Sequence, residues 1–526
     1  MNTVLAVGSG DNFPVFTVFA VFVTCTLFIS VAAVGLDSLS NYYLGHRKLS
    51  WAGNGLAIFG CFMSAAGMLS NPGLVSLTGF DGVLYVLTST AGWIVLLILI
   101  TETYHGSARF TIGDVLARRL NPRPAHTAAG VATLIISLLY LIAQLVGAGT
   151  LAAPILGLDG PGAQRAVVAC LGVLMILSVV GGGMRAATMI QGVKAVLLLA
   201  GGGLLALAVL WHFDMSPAAL LHAAADRSAY GDDFLRPGVR SEEGIGKLDA
   251  LSLELTRLLG IAGLPHVLMR LGTVATAREA RRSVQFATVL ILGFSAVAVV
   301  IGLGAAGVFG NKTITSDSSS GVTAMLLLSD SLGGPVLLTA ISCLAFATIV
   351  AVVAGLTLTA ATTLAHDIYG MTIKRGTATE KAELGVARLA VVLVGVTAIA
   401  LSLFVQNLNI SFLVALCFTL AASAVLPALL YSLWWRHFTT RGATCSVYSG
   451  LLCTLVLVAL SPAVSGNSGA LLPDADFTIF PMRNPGLITV PVGFLAGWLG
   501  SVMDRRRQVA EGAEGRNTGD RAVLPS

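Results

Sequence analysis

Few side chains inside the apolar stretches of this 526-residue chain can take part in chemistry: Asp81, Gln144, Lys194, Glu254, Arg257 and His266. An ionisable group within a lipid-embedded helix is costly, so each marks either a pairing or a function. Glu254 and Arg257 stand three apart on one helical face and are expected to pair with each other. Lys194 is expected near the cytoplasmic end of its helix, where its stem can snorkel to the interface. His266, beside Pro265, either caps a broken helix or titrates in a proton path. Asp81, in GFDG, belongs at the start of an outer helix, where a carboxylate stabilises the N-terminus. Gln144, in LYLIAQLVGAG, either faces a pore or hydrogen-bonds between helices. The chain carries no phosphate-binding glycine loop, no metal-ligand cluster and no nucleophile with a base, which argues against an enzyme, an ATP-driven pump or a cofactor. Its seven cysteines (Cys25, Cys61, Cys170, Cys343, Cys417, Cys445 and Cys453) are scattered without a CxxC pair, so neither a disulfide framework nor a zinc site is expected.

The elements that hold these groups must be membrane helices. Hydrophobic residues make up 56% and charged residues 11% of the chain, far from the roughly one quarter charged that soluble domains carry. A span needs about 20 apolar residues, and thirteen runs qualify: Pro14 to Leu36, Ala52 to Gly79, Gly82 to Thr103, His126 to Leu156, Arg165 to Gly182, Ala187 to Trp211, Asp249 to Arg270, Val284 to Phe309, Pro335 to Leu364, Leu384 to Gln406, Ser411 to Trp435, Ala443 to Leu460, and Pro485 to Val502. The chain is therefore expected to be an all-α polytopic membrane protein of about thirteen transmembrane helices. The first run follows no Lys or Arg and lacks the short core of a signal peptide, so it reads as a permanent span.

Alternate loops differ in positive charge. With the N-terminus outside, twenty-one Lys and Arg fall in inward loops, Arg270 among them, and seven in outward loops, four of those in the long segment His212 to Leu248. Cytoplasmic loops are the basic ones, so the N-terminus is expected outside and the C-terminus in the cytoplasm. This placement accounts for the net charge of +5 without a nucleic-acid partner. Trp51, Trp211, Trp434, Trp435 and Trp498 fall near span ends, where amphipathic rings favour the interface. The tail Met503 to Ser526 is expected to be disordered.

Two spans carry Gly, Pro and small polar residues at their centres. One is GLAIFGCFMSAAGMLSNPGLVSLTG, Gly55 to Gly79; the other is LLGIAGLPHVLMR, Leu258 to Arg270. Broken helices free backbone groups for ions and aim half-helix N-termini at anions, although small residues also serve close helix packing. The two lie five spans apart, so residues 52–211 and 249–435 form two five-helix units, each opening with a broken helix and the second inverted relative to the first. Residues 1–36 then add an N-terminal helix, 212–248 an extracellular loop, 443–502 two C-terminal helices and 503–526 a cytoplasmic tail.

Several segments resemble the sodium:solute symporter family, and within it the cation/acetate symporters or monocarboxylate permeases. They are NGLAIFGCFMSAAG (Asn54 to Gly67), TGFDGVLY (Thr78 to Tyr85), RFTIGDVLARRL (Arg109 to Leu120), LYLIAQLVGAG (Leu139 to Gly149), GGMRAATMIQGVKAVLLL (Gly182 to Leu199), GLPHVLMR with TVATAREARRSV (Gly263 to Val284), AFATIVAVVAGLTLTAATTLAHDIYG (Ala345 to Gly370), and NISFLVALCFTLAASAVLPALL with TTRGA (Asn409 to Ala443). They span most of the chain from the second run to the twelfth. The resemblance implies inverted five-helix repeats like those of the leucine transporter.

It also implies a cation site on the carbonyls of Gly60 and Met63, facing Thr348, Ala351 and Val352. At Ala351 and Val352 members with a clear sodium site have Ser or Thr, and Na⁺ is a hard ion that needs oxygen ligands. The departure weakens Na⁺ and raises H⁺ as the coupling ion. Acetate permeases carry Asp where this chain has Cys61, a thiol expected to be open to reagents from the pore, and they also differ between Gly67 and Pro72. The function so implied is uptake of short monocarboxylates (acetate, propionate, pyruvate) across the plasma membrane by alternating access. Ser64, Gly67 and Ser70 are the expected substrate contacts, with Gly263 and His266 opposite and Gln144 a further candidate. Alternatives are an amino acid or sugar symporter, a transporter-like sensor and a passive anion channel.

Overall fold

The computed structural model describes residues 38–107, 109–155, 161–239, 244–318, 321–405, 410–466, 470–472 and 474–520, with Thr17, Val21, Thr24 and Phe28 as isolated positions. The first expected span, Pro14 to Leu36, otherwise lies outside the described residues. Among the described residues ten helices are long and apolar enough to cross a bilayer, and a pair bent by 57°, Trp51–Phe62 with Gly67–Thr78, is so when taken together. Each expected run from the second onward falls on one of these helices.

The expected fifth and sixth spans form one element, Pro161–His212, interrupted at Gly183 with φ 51° and ψ −150°. At about 1.5 Å per residue its 52 residues would far exceed a hydrocarbon core of about 30 Å. Two crossings on either side of Gly183 resolve the excess. Gly183 needs both its positive φ and its missing side chain, because an added Cβ would press on Tyr42.

We label the elements that build the site: α1 (Trp51–Phe62), α2 (Ala65–Thr78), α3 (Pro161–His212), α4 (Ile245–Gly260), α5 (Pro265–Leu271) and α6 (Ala324–Thr363). α1 ends at Met63 and α2 starts after Ser64, both with extended backbone. The small residues Ser64 to Gly67 hold the break open, and Ser64 accepts the Gly67 N–H at 3.1 Å as the N-cap of α2. The second break runs through a 3-10 turn, Ile261–Gly263, and extended Leu264 to Pro265 at the first position of α5, where a proline costs no hydrogen bond. Two π-helical segments, Leu364–Ile373 and Ala421–Val425, follow α6 and the helix Ile410–Leu420.

The described core has one large cluster of buried apolar residues, to which these elements contribute, and a smaller one around Tyr42, Tyr43 and Phe110. α3 packs along both α1 and α6. Close approach depends on missing side chains, as is common between membrane helices. An added Cβ at Gly60 would lie 2.2 Å from the Gln191 carbonyl oxygen, and one at Gly263 would lie 2.5 Å from that of Ala421. Trp51, Trp211 and Trp434 are exposed at helix ends, and Trp498 is exposed within the final helix.

Three expectations change. Arg270, counted among the loop cations, is buried on α5. The final helix runs from Gly486 to Asp520, past Met503, where the tail is expected to begin. The segment 212–248 is partly helical, at Pro217–Asp226 and Gly231–Leu235. Asp81 lies in the first turn of Phe80–Leu99, as expected, and also accepts the Gly238 N–H at 3.0 Å, tying that loop to the helix.

Candidate functional site

The break between α1 and α2 opens onto a cavity of about 40 Å³, lined by Ser64, Gly67, Ser70, Tyr85, Tyr140 and Arg257 with ten other residues. That is room for a few waters or a solute of a few heavy atoms. Three expected contacts, Ser64, Gly67 and Ser70, come together here. Ser70 Oγ lies 3.5 Å from Ser411 Oγ on the opposite wall.

Arg257 supplies the cation of this cavity, which overturns its expected pairing with Glu254. Its Nε donates to Ser89 Oγ at 3.0 Å, and Nη2 donates to the same oxygen. Its guanidinium lies 3.3 Å from the Tyr85 ring centroid and 5.9 Å from that of Phe418. The side chain is buried, and among the described residues no carboxylate lies within ion-pair distance of it. Glu254 Oε2 is buried without a hydrogen bond. The helical spacing was read correctly, but α4 presents Arg257 to the aromatic wall of the cavity. A desolvated guanidinium over aromatic faces, beside the N-terminus of α2, is an arrangement suited to a carboxylate.

The expected cation ligands lie one helix end away. The break withholds the N–H groups that would otherwise bond the Gly60 and Met63 carbonyls, since residue 64 is extended and the Gly67 N–H is taken by Ser64. Both carbonyls accept hydrogen bonds from Lys194 Nζ, that of Gly60 at 2.6 Å. Lys194 is therefore buried and does not snorkel. In a bilayer core an unsatisfied carbonyl and an unsatisfied ammonium are both costly, and this contact removes the two penalties together. On the facing helix the Ala351 carbonyl accepts from Gln191 Nε2 at 3.1 Å, and Thr348 Oγ1 faces Met68 Sδ at 3.9 Å. Val352 is buried among apolar neighbours.

Gly263, His266 and Gln144 do not line the cavity. His266 is buried on α5, edge-on to Tyr140 at 5.3 Å, and neither ring nitrogen has a hydrogen bond. Gln144 is likewise buried with both polar atoms unpaired. Gly263 is a contact point between backbones. Cys61, expected to be open to reagents, is 1% exposed because Gln191 and Gly355 close over it.

A second polar cluster was not singled out from the sequence, although its residues lie mainly in RFTIGDVLARRL and TLAHDIYG. His126 Nδ1 meets Asp367 Oδ1 at 2.6 Å, and His366 meets Glu383 at 2.8 Å and Asp114 at 3.1 Å. Thr111 donates to Asp367 at 2.7 Å. Burial opposes ionisation of Asp114, but the hydrogen bond and charge of His366 and the backbone N–H groups of Thr111 and Phe110 bring its carboxyl down to about 2. The cluster joins four elements, Ile112–Ala117, Pro122–Ile155, Leu364–Ile373 and Glu380–Phe404, beside the arginine-rich segment 109–123.

The chain is similar to known proteins in sequence and in fold. The family model for the sodium:solute symporter family matches residues 42–450. A protein named monocarboxylic acid transporter from Corynebacterium glutamicum is 41% identical over 505 residues, 94% of this chain and 91% of that protein. A symporter of Bacillus subtilis described as uncharacterized is 40% identical over 501 residues, 95% of this chain and 96% of that one. Among solved structures, a Na⁺-coupled sialic acid symporter in a substrate-bound, outward-open state superposes with a TM-score of 0.73 at 12% identity, over 93% of this chain and 98% of that one. The transporter MhsT in complex with L-phenylalanine gives 0.52 at 17% identity, over 86% and 99%. The fold is thus that of the leucine transporter and its relatives, with paired five-helix repeats around a broken first helix. With that fold, and a family match and two full-length relatives behind it, the chain belongs to the sodium:solute symporter family and is a cation-coupled membrane symporter of a small solute, not an enzyme.

Proposed function

We propose that the solute is a short monocarboxylate such as acetate, propionate or pyruvate, taken up across the plasma membrane by alternating access around the α1–α2 break. The observation that carries this reading is Arg257, a buried guanidinium with no carboxylate partner among the described residues, in a cavity that also receives the N-terminus of α2. The carboxylate sits between Arg257 and the Ser64 end of α2, with Gly67 leaving room for it and Ser70 on the wall. Phe62, Val86, Ile291 and Val414 meet the alkyl end. The small volume favours acids of two or three carbons over sugars, and no carboxylate lines the cavity to receive the ammonium of an amino acid. The name of the Corynebacterium glutamicum relative, monocarboxylic acid transporter, agrees with this choice. Residues 52–211 and 249–435 are the two inverted units, with the N-terminus outside and the C-terminus in the cytoplasm.

The test is uptake of labelled acetate, propionate and pyruvate into proteoliposomes, with protein-free vesicles subtracted because undissociated acids cross lipid. Protein-dependent uptake should be competed by unlabelled carboxylates and not by their amides. Uptake of an amino acid or sugar in preference to every acid would reject the reading, as would equal competition by the amides.

A further inference from the structure

We propose that the Lys194 ammonium is a tethered cation standing where a symported Na⁺ would bind, so that this carrier takes no Na⁺ between α1 and α6. The observations are geometric. Lys194 projects from α3 to the C-terminal end of α1 and donates to both carbonyls, Gly60 and Met63, that the break leaves without helical partners. Gly60 makes the approach possible, since any side chain there would strike the Gln191 carbonyl one turn before Lys194 on α3. The remaining oxygen of the expected ligand set is also engaged or turned away. The Ala351 carbonyl is held by Gln191 and the Thr348 hydroxyl faces a thioether, while Ala351 and Val352 have no side-chain oxygen. A hard alkali ion would find two carbonyls already donated to and an apolar wall opposite.

The groups around Lys194 leave the helix carbonyls to hold the ammonium. The titratable neighbour of Lys194 is Cys61 on α1, which Arg270 on α5 also faces. Arg270 is bonded to Thr188 and Gln191 on α3. Among the described residues no carboxylate lies within ion-pair distance of Lys194. Its compensation is therefore the exposed carbonyl end of α1, where a cation is favoured. The carboxylate proposed above binds at the opposite pole, the N-terminus of α2. One break thus carries a fixed cation on one helix end and a transported anion on the other. This placement of the anion rests on the monocarboxylate reading; the identity of the tethered cation does not.

The experiment compares thermal unfolding of the purified full chain in sodium chloride and in choline chloride at equal ionic strength, without substrate. Wild type should have the same midpoint in both salts. Lys194→Met should unfold at lower temperature in both, because two carbonyls lose their donor. Lys194→Met combined with Ala351→Ser and Val352→Ser, which restores oxygen ligands, should regain stability in the sodium salt alone. A Na⁺-specific rise in the wild-type midpoint overturns the proposal, and so does a Lys194→Met midpoint equal to that of wild type. If the variants yield no folded protein, wild-type uptake decides: exchanging Na⁺ for choline should change the initial rate less than twofold, and a tenfold loss overturns it. A wild type that carries none of the acids would reject the monocarboxylate reading, while the unfolding comparison would still judge Lys194.

Discussion

Replacing Arg257 by Gln separates a substrate-binding guanidinium from a structural one. A hydrogen bond to a charged group contributes about 1.5–3 kcal/mol, and each 1.4 kcal/mol is about a factor of ten. Losing one Arg257–carboxylate contact should therefore raise the apparent KM for acetate or pyruvate by roughly 10- to 150-fold. The stability effect should run the other way. Arg257 is 7% exposed and, among the described residues, meets a serine hydroxyl and ring faces but no carboxylate, so the empty protein bears the cost of a buried charge without a counter-ion there. Arg257→Gln should leave the thermal midpoint unchanged or raise it while binding fails, the exchange of stability against function expected at a binding site. Concentration-dependent initial uptake in proteoliposomes and thermal unfolding of the same preparations read the two effects. A lower midpoint with an unchanged KM would show that Arg257 holds the helices together, and would refute the reasoning.

Ser64→Ala removes the N-cap of α2, worth about 1 kcal/mol, and should raise the apparent KM several-fold; unchanged uptake kinetics would remove Ser64 from the site. Gly60→Ala places a Cβ 2.2 Å from the Gln191 carbonyl oxygen and should lower the thermal midpoint by the equivalent of about 1–3 kcal/mol. Gly192→Ala, where an added Cβ meets nothing within 4 Å, is its neutral control. Asp114→Asn removes a carboxylate held at about 2, a contribution on the order of 2 kcal/mol. Because that value is depressed, the contribution is full above the ordinary carboxylate range and is lost as pH falls toward 2. Unfolding midpoints of wild type and Asp114→Asn should differ at neutral pH and converge in strong acid.

The membrane class, the spans and the two breaks were legible in the sequence because they are local properties. Twenty apolar residues in a row decide a span without reference to any other segment, and Gly60, Ser64, Gly67 and Pro265 mark where a helix cannot run on. Ser64, Gly67 and Ser70 could be placed at the cavity for the same reason, since the break that contains them is also the feature that opens it. What tertiary structure alone decided is where the long cations point. Lys194 lies 134 residues from Gly60, and Arg257 lies 168 from Ser89; helical spacing shows which residues share a face but not which neighbour that face meets. Spacing favoured Glu254 for Arg257 and the interface for Lys194, whereas packing offered Arg257 an aromatic-walled cavity and offered Lys194 two carbonyls stripped of their helical partners. In a medium without water those orphan groups outweigh local pairing, so the place of Lys194 was settled by the contact between α1 and α3, and that of Arg257 by the contact of α4 with Phe80–Leu99.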